Sequence, residues 1–138
     1  MTKTKFSDVL EAYEFCAASS FGDAEAFISL ERGTVHIVSS DYELDEEPPV
    51  DLESGPYLAI PDKLELGLGS TLAIKFAAAH LPMDVDTVAE YFRKPGAYGK
   101  FKVFLERKGL LQAWYDHEAS TKETRLRDWC AANAIELL

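Results

Sequence analysis

Cysteine, methionine and positive charge are all scarce in this chain, and no long apolar run interrupts its 138 residues. Its two cysteines, Cys16 and Cys130, stand far apart and each falls within a helical apolar pattern. That excludes a disulfide framework and predicts a pair of buried thiols. No stretch approaches the roughly 20 apolar residues that span a bilayer, and the opening MTKTKFSDVL lacks the apolar run of a signal peptide. The expectation is a cytoplasmic protein with no membrane partner. Lys and Arg number 14 against 24 Asp and Glu, a formal charge of −10 that opposes nonspecific attraction to nucleic acid or anionic lipid. With 47% hydrophobic and 12% aromatic residues, the chain has the means to fold. Area scaling lets roughly two-thirds of its unfolded surface be buried, which predicts one domain over residues 1–138.

The first apolar pattern is helical. Phe6, Val9, Leu10, Tyr13, Cys16 and Ala17 recur at helix spacing after Ser7, a good N-cap residue, so a helix is expected over 7–18. Ala26, Ile28 and Leu30 then share one face of an extended strand, and Val35 and Ile37 do likewise after Glu31-Arg32-Gly33. Glycine at 33 can take the positive φ that such a turn requires, so the two runs form an antiparallel hairpin. Residues 41–56, DYELDEEPPVDLESGP, carry seven carboxylates, three prolines and no base. They predict an extended acidic loop. Tyr57-Leu58-Ala59-Ile60-Pro61 reads as a short edge strand closed by proline, which completes a helix-plus-sheet region over 1–61.

Residues 68–138 are helical by pattern. Ser70 or Thr71 can cap a segment carrying Leu72, Ala73, Phe76, Ala77 and Leu81, and Asp84 can cap a second carrying Val85, Val88, Ala89 and Phe92. A third begins near Pro95 or Gly96, shows Ala97, Phe101, Phe104 and Leu105 on one side, and stops at Gly109, a good C′ residue. A fourth runs from about Leu110 to Asn133, with a polar middle between Trp114 and Trp129. Fifteen residues of helix turn by about 60°, so both indoles can lie on one broad face against a single body. The expected fold is therefore α+β: an N-terminal helix and a small antiparallel sheet of about three strands, packed with a C-terminal bundle of about four helices. The indoles suit a monomer core or a homodimer interface equally.

Candidate chemistry concentrates between residues 93 and 108. Arg93, Lys94, Lys100, Lys102, Arg107 and Lys108 face Glu106 alone, a local charge of +5 in a chain that is −15 elsewhere. Arg93 and Lys94 close one expected helix and Arg107 and Lys108 the next, where cations offset the helix dipole. Lys100 and Lys102, beside Tyr98, lack that explanation. The candidate binding residues are Arg93, Lys94, Tyr98, Lys100 and Lys102. Other motifs are weaker. Gly67-Leu68-Gly69-Ser70 precedes a helix, yet no phosphate-loop lysine or complete G-x-G-x-x-G accompanies it. His36, His80 and His117 are scattered, with neither H-E-x-x-H nor cysteine pairs beside them, so no metal site is expected. Cys16 lies on an apolar stripe that would leave its thiol inert, and no nucleophile, acid and base converge. No catalytic residue and no cofactor is assigned.

Tyr57-Leu58-Ala59-Ile60-Pro61, Gly96-Ala97-Tyr98 with Phe101-Lys102, Leu105, Gly109, Trp114-Tyr115, and Trp129-Cys130 with Asn133 and Ile135 together resemble a bacterial group catalogued as uncharacterised protein family 0158 of the UPF series. The resemblance covers most of residues 57–138, and the N-terminal helix and hairpin more loosely. It implies a bacterial cytoplasmic setting and carries over no activity, cofactor or catalytic residue. Two positions depart from the family pattern: Pro95 stands where a basic or small residue is usual, and His117 where an aromatic often follows Trp-Tyr.

The leading functional expectation is a noncatalytic intracellular module that binds or regulates another protein, using the acidic loop and the cationic, aromatic turn around Tyr98 and Lys102. A second is nucleic-acid binding through the basic turn 93–108. A third is an enzyme acting on a small anionic metabolite, with Arg93, Lys100 or Lys102 lining its pocket.

Overall fold

The computed structural model describes residues 2–18, 24–39 and 55–138. Most of the expected acidic loop, up to residue 54, lies outside them. The fold is α+β, with five α-helices, a three-stranded antiparallel sheet and a two-stranded parallel pair among the described residues. The chain divides into two compact units, one formed by Met1–Leu66 with Glu123–Leu138 and the other by Gly67–Lys122.

In the first unit, β1 (Thr2–Thr4) leads into α1 (Phe6–Ala18), followed by β2 (Ala24–Ser29), β3 (Val35–Ser39) and β4 (Tyr57–Ala59). Helix α1 starts one residue earlier than the sequence predicts. Asp8 and Val9 donate their amides to the Lys5 carbonyl, so Ser7 sits inside the first turn and is not the cap. The hairpin forms as expected, with Ala24, Ala26 and Ile28 buried along one face of β2 and α1 packed against β2 and β3 through Val9, Ala12 and Tyr13. Leu30, expected on that face, lies past the end of the strand and is exposed. Strand β4 pairs with the other edge of β2, giving the order β3-β2-β4. Two strands went unread in the sequence. β1 pairs in parallel with β5 (Ile135–Leu137), the last strand, so the two ends of the described chain meet in register from Thr2 and Ile135 to Thr4 and Leu137.

The second unit holds α2 (Ser70–His80), a 3-10 turn at Pro82–Asp84, α3 (Val85–Tyr91), α4 (Ala97–Arg107) and the first half of α5 (Leu111–Ala132). Four helical segments therefore match the four predicted, with the 3-10 turn where Pro82 prevents α2 from continuing. Gly69, not Ser70 or Thr71, occupies the N-cap of α2, and the Asp84 side chain, though at the N-cap of α3, makes no capping bond. Gly109 ends α4 with φ +73°, as a C′ glycine does. The core of this unit is aromatic: Trp114, 1% exposed, meets Phe76 and Phe101 edge-on, with centroids 5.4 and 5.1 Å away. Phe101 in turn meets Phe92, and Phe92 meets Tyr98. The indoles do not share a body: Trp114 belongs to the second unit, whereas Trp129, half-buried, falls in the first. Of the 22 residues of α5, those up to Lys122 are assigned to the second unit and those from Glu123 to the first.

Candidate functional site

The basic stretch folds into a helix end, a glycine turn and one face of α4, and these treat its cations differently. Arg93 lies beyond the last turn of α3 and pairs with Glu90 at 3.0 Å, an exposed contact contributing less than about 1 kcal/mol. Lys108, the C-cap of α4, reaches the Asp84 carboxylate at 3.9 Å and covers the Phe104 ring. Lys102 is half-buried with its ammonium 5.6 Å from the centre of the Tyr115 ring. Tyr98 turns its ring into the aromatic core, edge-on to Phe92 at 5.0 Å, and so presents no flat stacking surface. Lys94 is exposed.

Lys100 and Arg107 remain, and the fold gives them a setting. Gly99, Val103 and Arg107 follow at intervals of four along α4, so they form one stripe, and Lys100 flanks it. With Tyr91 and Phe104 they line a shallow groove of about 320 Å³ between α3 and α4. Tyr91 and Phe104 form its floor, ring edge to ring face at 5.9 Å. Val103 is 49% exposed, an apolar side chain left half open to solvent. Lys100 and Arg107 are two turns apart, about 10 Å along the axis, one toward each end. Neither has a carboxylate partner among the described residues. The groove thus combines an apolar centre with a cation at each end.

Gly99 sharpens this. A glycine inside a helix costs about 0.5–1 kcal/mol relative to alanine. Where it is retained for packing, an added Cβ would collide with a neighbour, yet at Gly99 it would meet nothing within 4 Å. No packing among the described residues requires the missing side chain. It leaves the groove open to close approach from outside.

Of the expected site residues, therefore, only Lys100 lines the groove; Arg93, Lys94, Tyr98 and Lys102 lie elsewhere on the same stretch. Arg107, Val103, Gly99 and Tyr91 were not singled out from the sequence. The signal available for them was Gly99, Val103 and Arg107 at helical spacing on the side opposite Phe101 and Leu105.

The other chemically reactive groups are two thiols, neither in a disulfide. Cys130 is buried, as expected, but Cys16 is only half-buried because it lies toward the edge of the helical stripe. Burial pushes the Cys16 thiol up, and the nearby Glu25 carboxylate pushes it further; for Cys130 burial is partly offset by Arg127. Both shifts disfavour the thiolate, the nucleophilic form. As pH rises, the unfolded chain loses these protons first, so their contribution to stability is present below the ordinary thiol range and lost above it. The pH midpoint for alkylation of Cys16 by iodoacetamide is accordingly expected above that of a free cysteine measured alongside, and Glu25→Gln should lower it. A midpoint at or below the free thiol would contradict this account.

Among the described residues, no three or more His, Cys, Asp or Glu side chains converge as a cation site. No described helix is long and apolar enough to cross a membrane. Comparison of the chain with protein-family models, curated proteins and solved structures finds no match.

Proposed function

We propose that this protein is a noncatalytic binding module of the kind represented by the UPF 0158 family, acting in the bacterial cytoplasm, and that its α3–α4 groove receives a short acidic segment of another protein. The observation that carries the reading is the pairing of half-exposed Val103 with Lys100 and Arg107, neither matched by a carboxylate among the described residues. The complement of such a surface is a segment with an apolar anchor flanked by carboxylates. Gly99 favours a protein partner, because close approach of a backbone uses the space left by a missing side chain. The acidic total disfavours nucleic acid.

The test uses a short fluorescein-labelled peptide with glutamates on both sides of a central phenylalanine, and a lysine-substituted control. Saturable binding of the acidic peptide is expected, weakened about tenfold by Lys100→Glu with Arg107→Glu and by added salt. Gly99→Ala should raise stability by about 0.5–1 kcal/mol, while Gly99→Leu, which fills the groove, should abolish binding without unfolding the chain. No binding at low salt, or equal binding by the charge-reversed variant, would remove the reading. Preferential binding of a single-stranded oligonucleotide through the same cations, with a steep salt dependence, would replace it with nucleic-acid recognition.

A further inference from the structure

The first unit contains a larger cavity, of about 570 Å³, and the register of the sheet explains why it exists. Along the β4 side of β2, ladder bonds fall on alternate residues: Leu30 donates to the Pro56 carbonyl, and Ile60 donates to the Ala26 carbonyl, each at 2.8 Å. The next position in that series is Ala24, and its partner would be Asp62. Pro61 turns the chain away, and Asp62 is engaged instead in a turn, its carboxylate accepting the Glu65 amide at 2.8 Å and its carbonyl the Leu66 amide at 3.2 Å. Strand alternation therefore turns the amide and carbonyl of Ala24 toward the side of β2 that β4 has left, where no β4 residue pairs with them. The cavity lies at this point, lined by Ala24 and Ala26 of β2 and by Ala59 to Asp62 where the chain leaves the sheet.

Its walls are chemically distinct. Ala17, Ala24, Ala26 and Ala59 contribute only methyl groups, which is why the space is not filled. Tyr13 and Phe27 add aromatic surface, and Cys16 adds a thiol whose ionisation burial and the Glu25 carboxylate disfavour. Three carboxylates, Glu25, Asp62 and Glu65, line it against one ammonium, Lys63, a local charge of −2. The volume lies in the range of small-molecule sites, and a cavity with aromatic walls, a backbone carbonyl and excess carboxylate suits a cation with an apolar body.

We infer that this cavity binds a small organic ammonium ion bearing an aromatic or alkyl group. The charged head lies toward Glu25, Glu65 and the Ala24 carbonyl, and the apolar body lies against Tyr13, Phe27 and the alanines. The inference uses no feature of the α3–α4 groove, so either proposal can fail alone.

Cys16 provides the readout. It lines the cavity and is half-buried, whereas Cys130 is 0% exposed, so an alkylating reagent acting on the folded protein reports on Cys16. Phenethylamine is expected to slow Cys16 alkylation in a saturable manner and to shift the amide resonances of Ala24 and Glu25. Its neutral counterpart, 2-phenylethanol, should bind about tenfold more weakly. Ala59→Leu, at an exposed strand position, should occlude the cavity and remove protection, and Glu25→Gln with Glu65→Gln should erase the preference for the amine. Equal binding of amine and alcohol, or protection unchanged in the Ala59→Leu variant, would overturn the inference. Absence of any shift at millimolar phenethylamine would do the same.

Discussion

Replacing Trp114 with alanine is expected to cost about 3–5 kcal/mol, which is a third or more of the stability of a typical domain. The magnitude follows from its position. Its side chain is 1% exposed and is held between Phe76 and Phe101 at interplanar angles of 71° and 81°, the edge-to-face geometry in which each aromatic pair adds about 0.5–1.5 kcal/mol beyond area burial. Three helices supply these rings, Phe76 from α2, Phe101 from α4 and Trp114 from α5, so their loss loosens every contact of α2 and α4 with that centre. One term runs the other way. The indole N–H is buried with no acceptor among the described residues, a desolvation cost of about 1–3 kcal/mol that the folded state already bears. Both Trp114→Phe and Trp114→Ala remove that unsatisfied donor, but only phenylalanine keeps a ring against Phe76 and Phe101, so Trp114→Phe should cost clearly less. Urea denaturation followed by far-UV circular dichroism measures both. Equal losses for the two variants would show that a ring retained at this position recovers none of the packing against Phe76 and Phe101. A loss below about 1 kcal/mol for Trp114→Ala would show that the aromatic cluster is not the centre of this unit.

The helices of the second unit were readable from sequence because each carries an apolar stripe bounded by a residue with a structural reason to stop it. Pro82 lacks the amide that would continue α2, and Gly109 can adopt the left-handed backbone that ends α4. The hairpin was readable for the same reason at Gly33. What escaped was set by tertiary register. β1 is the three-residue segment Thr-Lys-Thr, too short and too polar to show alternation, and its partner β5 lies at the other end of the chain. The capping residues were misplaced by one or two positions because Ser7, Ser70 and Thr71 are good caps wherever the backbone presents them, and here it presents Lys5 and Gly69.

The candidate sites were less legible than the fold. Lys100 could be singled out as a cation without a helix-end explanation, but Arg107 was assigned to the helix dipole, a role that does not prevent its side chain from lining a groove. Tyr98 looked like an exposed aromatic among bases, and only the packing of α3 against α4 shows its ring against Phe92. The cavity of the first unit has no motif at all. It results from the point at which β4 leaves β2 and from four alanines drawn from three elements, and neither fact is local in sequence.

Gly33→Ala is expected to be the most damaging of the glycine substitutions. Two separable effects meet at this position. Its φ of +74° costs an L-residue about 1–2 kcal/mol, and a Cβ there would lie 1.8 Å from the Lys3 carbonyl oxygen, far inside contact distance with a backbone atom that cannot rotate away. The chain must shift, and β1 is the element displaced. That strand is held by few bonds: its ladder with β5, the Leu138 amide on the Thr4 carbonyl at 2.9 Å, and the Thr2 hydroxyl on the Leu30 carbonyl at 2.7 Å. Each hydrogen bond contributes about 1 kcal/mol, so loss of two or three on top of the strain brings the total to about 3–5 kcal/mol. At about 4 °C per kcal/mol that is a fall in Tm of more than 10 °C. Gly109→Ala is the control, because Gly109 has nearly the same φ, +73°, and nothing within 4 Å of its added Cβ. It should lose only the strain, about 1–2 kcal/mol. Hydrogen exchange adds a spatial readout: Gly33→Ala should deprotect the amides of Ile135–Leu137, on the strand that pairs with β1, whereas Gly109→Ala should leave them protected. Equal destabilisation by the two variants would mean that the turn at Gly33 does not bear on β1, and that the two ends of the chain are held together by their own ladder alone.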